Sequence, residues 1–173
     1  INIENKNFSE INFLIFAGSQ GSLDLLDIFK SIIKNLNRIS ISKQIFFTIQ
    51  APLSKHLEIE TLLKEHRYKF QIKNFYNNFD NILKQTDIAL CRSGAGTIND
   101  LIIYKIPAIL CPLPSAKDNH QYENAKILSS IKCAIIVDKN NINEDEIMLF
   151  IDNSLNDMNF KKKLKLNFDE IEL

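Results

Sequence analysis

The chain of 173 residues holds four glycines, and they fall in two clusters: Gly18 and Gly21 in AGSQGS, and Gly94 and Gly96 in CRSGAGT. Glycine lets a backbone turn sharply and approach a ligand closely, and the free N–H groups that open a helix favour an anion. Ser19, Gln20, Ser22, Ser93 and Thr97 flank these positions with hydroxyl and amide groups, so both clusters read as holders of phosphate. The competing reading is a turn that needs glycine for its geometry alone. Neither cluster is a Walker loop, because no Lys-Ser/Thr pair follows at the required spacing, and neither is a GxGxxG fingerprint. ATPase and NAD-dependent readings both lose ground.

Asp100 lies one helical turn beyond Gly96. From there its carboxylate can face back to the same edge and accept hydrogen bonds from paired hydroxyls such as a ribose diol; an acid in a first turn also simply complements the helix dipole. A third cluster, PLPSAKDNHQYENA over residues 112–125, ends a strand with Pro112 and Pro114 and then crowds Lys117, Asp118, Asn119, His120 and Gln121 where the next helix begins. Beside two phosphate-type loops, that density of donors and acceptors reads as a sugar reader. His56 and His66 fall on a polar helix and are expected in solvent. No His, Asp or Glu grouping has metal-ligand spacing, so neither a metal nor another cofactor is expected. No G-x-S-x-G elbow occurs, which argues against hydrolysis through a serine nucleophile.

Such clusters need a scaffold that delivers them to one edge. Apolar runs at residues 12–17, 44–50, 69–73, 88–91, 108–111 and 134–137 alternate with segments at 23–36, 54–66, 78–85, 97–104, 121–130 and 144–155. In those segments apolar residues recur at three- and four-residue intervals, as in amphipathic helices. The alternation predicts βα units, and runs that are apolar throughout, such as FLIFA and AILC, predict strands covered on both faces. A last helix is expected over 160–171. The fold class is therefore α/β, with a doubly wound, mostly parallel, six-stranded Rossmann-like sheet. One domain is expected over 12–173, with 1–11 as a tail or severed interdomain linker. Each glycine cluster then follows a strand and precedes a helix, at the carboxyl edge where open α/β sheets bind ligands.

Lysine plus arginine equals aspartate plus glutamate at 21 each, so no bulk field recruits nucleic acid or an anionic membrane, and no nucleic-acid partner is expected. No run of about eighteen uncharged apolar residues occurs and the first ten residues are polar, so neither a membrane span nor an export signal is expected. Cys91, Cys111 and Cys133 lie in apolar runs at wide spacing, as buried thiols of a reducing cytoplasm do.

Taken in order, FAGSQGS (16–22), CRSGAGT (91–97) and PLPSAKDNHQYENA (112–125) closely resemble the carboxyl-terminal domain of the MurG family, bacterial N-acetylglucosaminyltransferases that convert lipid I to lipid II in peptidoglycan synthesis. The likeness runs from residue 13 to residue 155 with order and spacing preserved. It implies one half of a GT-B enzyme, in which two Rossmann-like domains face a cleft and the carboxyl-terminal one holds UDP-GlcNAc. It further implies that Ser19, in the loop of Gly18, Ser19, Gln20 and Gly21, touches the donor diphosphate. Tyr76, in NFYNN, is then set against uracil. After Ser93 and Gly94, the residues Ala95, Gly96, Thr97, Ile98, Asn99 and Asp100 form the helix start that meets phosphate and ribose. Gln121, with His120, reads the GlcNAc hydroxyls. No catalytic residue is implied on this chain, since the general base is expected on the amino-terminal domain.

Two departures stand out. The family usually has glutamate where this chain has Asp100, one methylene shorter, which implies a weaker or water-bridged ribose contact. Gly96 stands where many members carry a larger apolar residue, which implies a freer turn and less packing against the nucleotide. The implied chemistry is direct, inverting transfer to a muramyl hydroxyl, with the departing UDP stabilised by helix N-termini. The family's amino-terminal domain has no counterpart in this sequence. The expectation is a donor-binding half, as a fragment or as one subunit of a split enzyme, that binds UDP-GlcNAc and transfers nothing alone. Lipid I would be met through the missing domain, in the cytoplasm, peripherally on the cytoplasmic face of the inner membrane. Two other readings are a donor-binding subunit that works with a separate membrane-bound partner, as in eukaryotic dolichol-linked transferases, and a non-catalytic nucleotide-sugar sensor. The KKKLK run at 161–165 reads as a solvated helix face balanced by Asp169, Glu170 and Glu172, or as an aid to membrane contact.

Overall fold

The computed structural model describes residues 9–17, 23–113 and 119–171. Among these, six strands alternate with seven helices: β1 (Glu10–Phe16), α1 (Leu23–Asn35), β2 (Gln44–Gln50), α2 (Leu53–Glu65), β3 (Lys69–Lys73), α3 (Phe79–Gln85), β4 (Ile88–Cys91), α4 (Ala95–Tyr104), β5 (Ala108–Leu110), α5 (His120–Ser130), β6 (Ala134–Ile136), α6 (Glu144–Asn156) and α7 (Met158–Asp169). The strands lie in the order β3-β2-β1-β4-β5-β6, and every strand pairing is parallel. This is the doubly wound order, in which the chain winds outward from β1 to β3 and then crosses back to β4. The switch point between β1 and β4 is where such sheets open a crevice.

The register makes the carboxyl edge level. Lys73, Gln50, Phe16, Cys91, Leu110 and Ile136 are successive partners across all six strands. The connections that leave this row therefore start from one line.

Strand side chains alternate between two packed layers, which explains why β4, β5 and β6 are apolar throughout and β1 is apolar from Phe13 onward. Phe13, Ile15, Phe47, Ile49, Ile88 and Leu90 face α1, α2 and α6, while Leu14, Phe16, Ala89, Cys91, Ala108 and Leu110 face α3, α4, α5 and α7. Phe47 sits at the centre of the first layer, with ring centroids 5.4 Å from Phe13, 5.7 Å from Phe29 and 5.2 Å from Tyr68. The edge strand β3 is less covered and keeps lysine at both ends.

Two helix starts differ from the sequence expectation by two residues, the others by one or none. The last helix begins at Met158 because the Asp157 carboxylate accepts hydrogen bonds from the N–H groups of Asn159 (2.8 Å) and Phe160 (3.1 Å), an N-cap that fixes the first turn. Helix α4 begins at Ala95 rather than Thr97, which places Gly96 inside its first turn and Gly94 at its cap.

Candidate functional site

Past the end of β4 the chain runs through Arg92, Ser93 and Gly94 into α4. Arg92 is buried, and its Nη1 donates to the carbonyls of Cys111 (2.8 Å) and Pro112 (3.4 Å). These bonds tie the exit of β4 to the exit of β5. Ser93 is also buried. Its hydroxyl donates to the Gln121 carbonyl at 2.7 Å, and its own carbonyl accepts from Asn124 Nδ2 at 3.1 Å. Gln121 Oε1 in turn accepts from the Leu113 N–H at 3.1 Å. A backbone N–H can meet only the oxygen of that amide, so its NH2 is directed elsewhere. The two motifs that the sequence places some twenty residues apart are thereby joined, with the starts of α4 and α5 side by side.

The glycines at this edge have no internal reason to be glycine. Gly94 has φ −60° and ψ 153°, a conformation open to any residue. Among the described residues, a Cβ at Gly94 or Gly96 would meet no atom within 4 Å. Elsewhere Arg67, Lys105 and Lys132 adopt φ of 60°, 54° and 62°, the left-handed region where helix ends usually recruit glycine. The chain thus accepts strain without glycine there, and keeps two glycines where the backbone is relaxed and the space in front is empty. Neither the Gly94 dihedrals nor contacts among the described residues call for glycine in this cluster. Ile98 N–H makes the first helical bond, to the Gly94 carbonyl at 3.0 Å, so the N–H groups of Ala95, Gly96 and Thr97 lack acceptors within the helix. Ala95, Gly96 and Asn99 are exposed, Thr97 is half-buried and Ile98 points into the core. Positive dipole, open donors and absent side chains together make a place for an anion.

Three side chains do other work than the sequence suggested. The Ser93 hydroxyl, expected beside phosphate, faces inward and fastens α5. Tyr76, expected against uracil, is 6% exposed, and its hydroxyl lies 3.2 Å from the Ile49 carbonyl and 3.3 Å from that of Gln71. Burial pushes the phenol up to about 12, and the residue braces β2 against β3. Its neighbour Phe75 is 68% exposed; the sequence signal was the adjacent pair of aromatics in NFYNN, of which the one with a hydroxyl is internal. His56, expected in solvent, places its Nε2 2.9 Å from the Ala51 carbonyl, closing the connection from β2 to α2. Sequence reasoning also passed over Arg92, although an arginine inside an otherwise apolar and small-residue motif was the available signal.

Asp100 is half-buried on α4. Burial first, and the nearby Asp80 second, raise its carboxyl above the ordinary aspartate range. Asp80 itself is engaged by Lys84 at 2.6 Å and by the Tyr104 hydroxyl. His120 and Asn119 are exposed at the start of α5, and Gln121 is half-buried. Gly18, Ser19, Gln20 and Gly21, with Ser22, Lys117 and Asp118, lie outside the described residues. The three cysteines are buried and not in disulfides; burial, aided by Cys111, pushes Cys91 up, and burial alone takes Cys133 up to about 12. Among the described residues no helix is long and apolar enough to cross a membrane.

The family model described as the glycosyltransferase family 28 C-terminal domain matches residues 12–170. The chain is 35% identical over 133 residues to the UDP-N-acetylglucosamine–N-acetylmuramyl-(pentapeptide) pyrophosphoryl-undecaprenol N-acetylglucosamine transferase of Rickettsia bellii, covering 77% of this chain and 37% of that protein. With the protein of the same name from Rickettsia prowazekii it shares 32% identity over 146 residues, 84% of this chain and 38% of that one. The chain spans about two fifths of the length of these curated relatives. A crystal structure of Acinetobacter baumannii MurG superposes with a TM-score of 0.75 at 20% identity, covering 99% of this chain and 51% of that one. That likeness concerns the fold.

Proposed function

This chain belongs to the family of glycosyltransferase family 28 C-terminal domains, and from that premise we propose that residues 12–173 are the donor-binding half of a transferase that moves N-acetylglucosamine from UDP-GlcNAc to lipid I, giving lipid II. The observation that carries the reading is the pair Gly94 and Gly96, glycines that neither backbone nor packing requires, at a helix start that offers three open N–H donors.

In this reading the N–H groups of Ala95, Gly96 and Thr97 hold the donor diphosphate. The buried Arg92 guanidinium, two residues before Gly94, adds a fixed positive charge to the same edge. Gly18, Ser19, Gln20 and Gly21, which follow β1 in sequence, are the further residues assigned to the diphosphate. The NH2 of Gln121, oriented by the Leu113 N–H, addresses the sugar hydroxyls, with His120 beside it. Asp100 accepts from the ribose, and exposed Phe75, rather than Tyr76, offers a ring face to the pyrimidine. During transfer a muramyl hydroxyl oxygen bonds to the anomeric carbon of GlcNAc while the bond from that carbon to the phosphate oxygen breaks. The electron pair leaves with UDP and the proton passes to a base on the acceptor-binding domain. The α4 dipole and its N–H groups are in place before charge develops on the leaving phosphate, and preorganised donors of this kind are worth about 3–4 kcal/mol each. The acceptor would be met at the cytoplasmic face of the membrane, with this chain attached peripherally.

A transfer assay tests this. The purified chain mixed with UDP-GlcNAc and a lipid I analogue is expected to form no lipid II, and to form it when an amino-terminal domain from a relative is supplied. Transfer by the chain alone would contradict the division of labour, and binding of UDP-GlcNAc with no transfer in either case would limit the role to sensing.

A further inference from the structure

The opposite edge of the sheet carries a second feature. At the amino ends of β1, β2, β4 and β5, where α6 hands over to α7, lies a groove of about 680 Å³. Its walls hold Lys43, Lys84, Lys105, Lys161, Lys162 and Lys165, against two carboxylates, Glu10 and Asp87. Both carboxylates are engaged: Glu10 pairs with Lys69 at 3.1 Å, and Asp87 accepts from the Asn12 N–H at 2.9 Å. Lys84 and Lys105 are paired to Asp80 and Asp169. Lys162 and Lys165, one turn apart on α7, have no hydrogen-bond or ion-pair partner among the described residues. The chain as a whole is neutral, so this local excess of positive charge is a property of the groove.

A second observation points the same way. Ser154 of α6 lines the groove, is 3% exposed, and its buried hydroxyl has no hydrogen-bond partner among the described residues. A buried donor left unmade is costly, and native structures rarely keep one without a use. An anionic oxygen entering the groove would meet the ammonium groups of Lys162 and Lys165 directly, and the Ser154 hydroxyl, shielded as it stands, once its rotamer turns toward the groove. Beside them Met158, also in the wall, is 64% exposed, as is Leu166 further along α7, apolar flanks of the kind that lie well against acyl chains.

We propose that this groove binds a phosphate-bearing anion, separate from the donor site at the other edge. The source is either the headgroup of an anionic phospholipid or a soluble phosphate compound, and both present the same chemistry to Lys162, Lys165 and Ser154.

The test has two arms on the full chain, Lys162→Glu/Lys165→Glu and Ser154→Ala. One is flotation with phosphatidylcholine vesicles with and without phosphatidylglycerol; the other is calorimetry with inorganic pyrophosphate. A juxtamembrane lysine contributes about fivefold to anionic-surface affinity, so the double reversal should weaken binding by at least about 25-fold, with the remaining affinity falling as salt rises. Ser154→Ala should weaken it too while raising Tm. Binding to phosphatidylglycerol vesicles assigns a lipid headgroup, and binding to pyrophosphate alone assigns a soluble ligand. Absence of both, or binding that survives the charge reversal, overturns the proposal. UDP-GlcNAc titration of the same variants, expected unchanged, verifies the fold and keeps this test separate from the donor reading.

Discussion

Replacing Gly94 by valine should leave the fold standing and drive the nucleotide away. The backbone there, at φ −60° and ψ 153°, suits a β-branched residue, and no atom of the described residues lies within 4 Å of the new Cβ, so the Cβ itself adds neither backbone strain nor a clash with them. The stiffer unfolded chain favours the variant by about 0.4–1 kcal/mol, and valine is a poorer N-cap than glycine by about the same amount. These nearly cancel, and at about 2–4 °C per kcal/mol for a chain of this size, Tm should move by less than about 4 °C. The valine methyls, however, occupy the space over the N–H groups of α4. Losing one hydrogen bond to a charged phosphate costs about 1.5–3 kcal/mol, so UDP-GlcNAc affinity should fall about 10- to 150-fold. Differential scanning calorimetry and isothermal titration of the same preparation give both numbers. Unchanged affinity would mean that the open space is not ligand space; a fall in Tm beyond about 8 °C would mean that glycine serves the fold after all.

Ser93→Ala removes the hydroxyl that donates to the Gln121 carbonyl at 2.7 Å; that carbonyl keeps its place as an acceptor within α5, so losing the one bond should cost about 0.5–1.5 kcal/mol in urea unfolding, and an unaltered midpoint would show that α5 is held by other contacts. Tyr76→Phe should cost about 1 kcal/mol of stability and spare nucleotide binding, whereas Phe75→Ala should do the reverse; the opposite split would restore Tyr76 as the ring that meets the base. Asp100→Asn should raise Tm at pH 7. The folded carboxyl sits above its ordinary value of 3.8, so the fold binds more protons than the unfolded chain and this residue's contribution to stability falls as pH rises through the folded pKa. The advantage of Asn over Asp should therefore shrink on acidification and vanish below about pH 3.8; a gap that widens in acid would reverse the assignment.

The strands were legible because both faces of the sheet are packed, which leaves no polar position in β4 or β5 and none after Asn12 in β1 to blur the pattern, and because glycine is so scarce that its placement spoke. Helix starts were less so: Asp157 resets α7 by two residues through a cap that periodicity does not register. The roles of Ser93, Tyr76 and His56 could not be read locally. Ser93 finds its acceptor 28 positions away and Tyr76 finds one 27 away, and only the folded sheet brings those carbonyls within reach. For the same reason the lysine groove was invisible beyond its KKKLK component, since its walls come from segments scattered from Glu10 to Lys165.

The central claim is donor recognition at the start of α4. Isothermal titration of the chain, without added metal, against UDP-GlcNAc, UDP-glucose, ATP and NADH tests it most directly. UDP-GlcNAc is expected to bind in preference to the other three; preference for ATP or NADH, or no binding of either uridine ligand, would refute donor recognition at this edge.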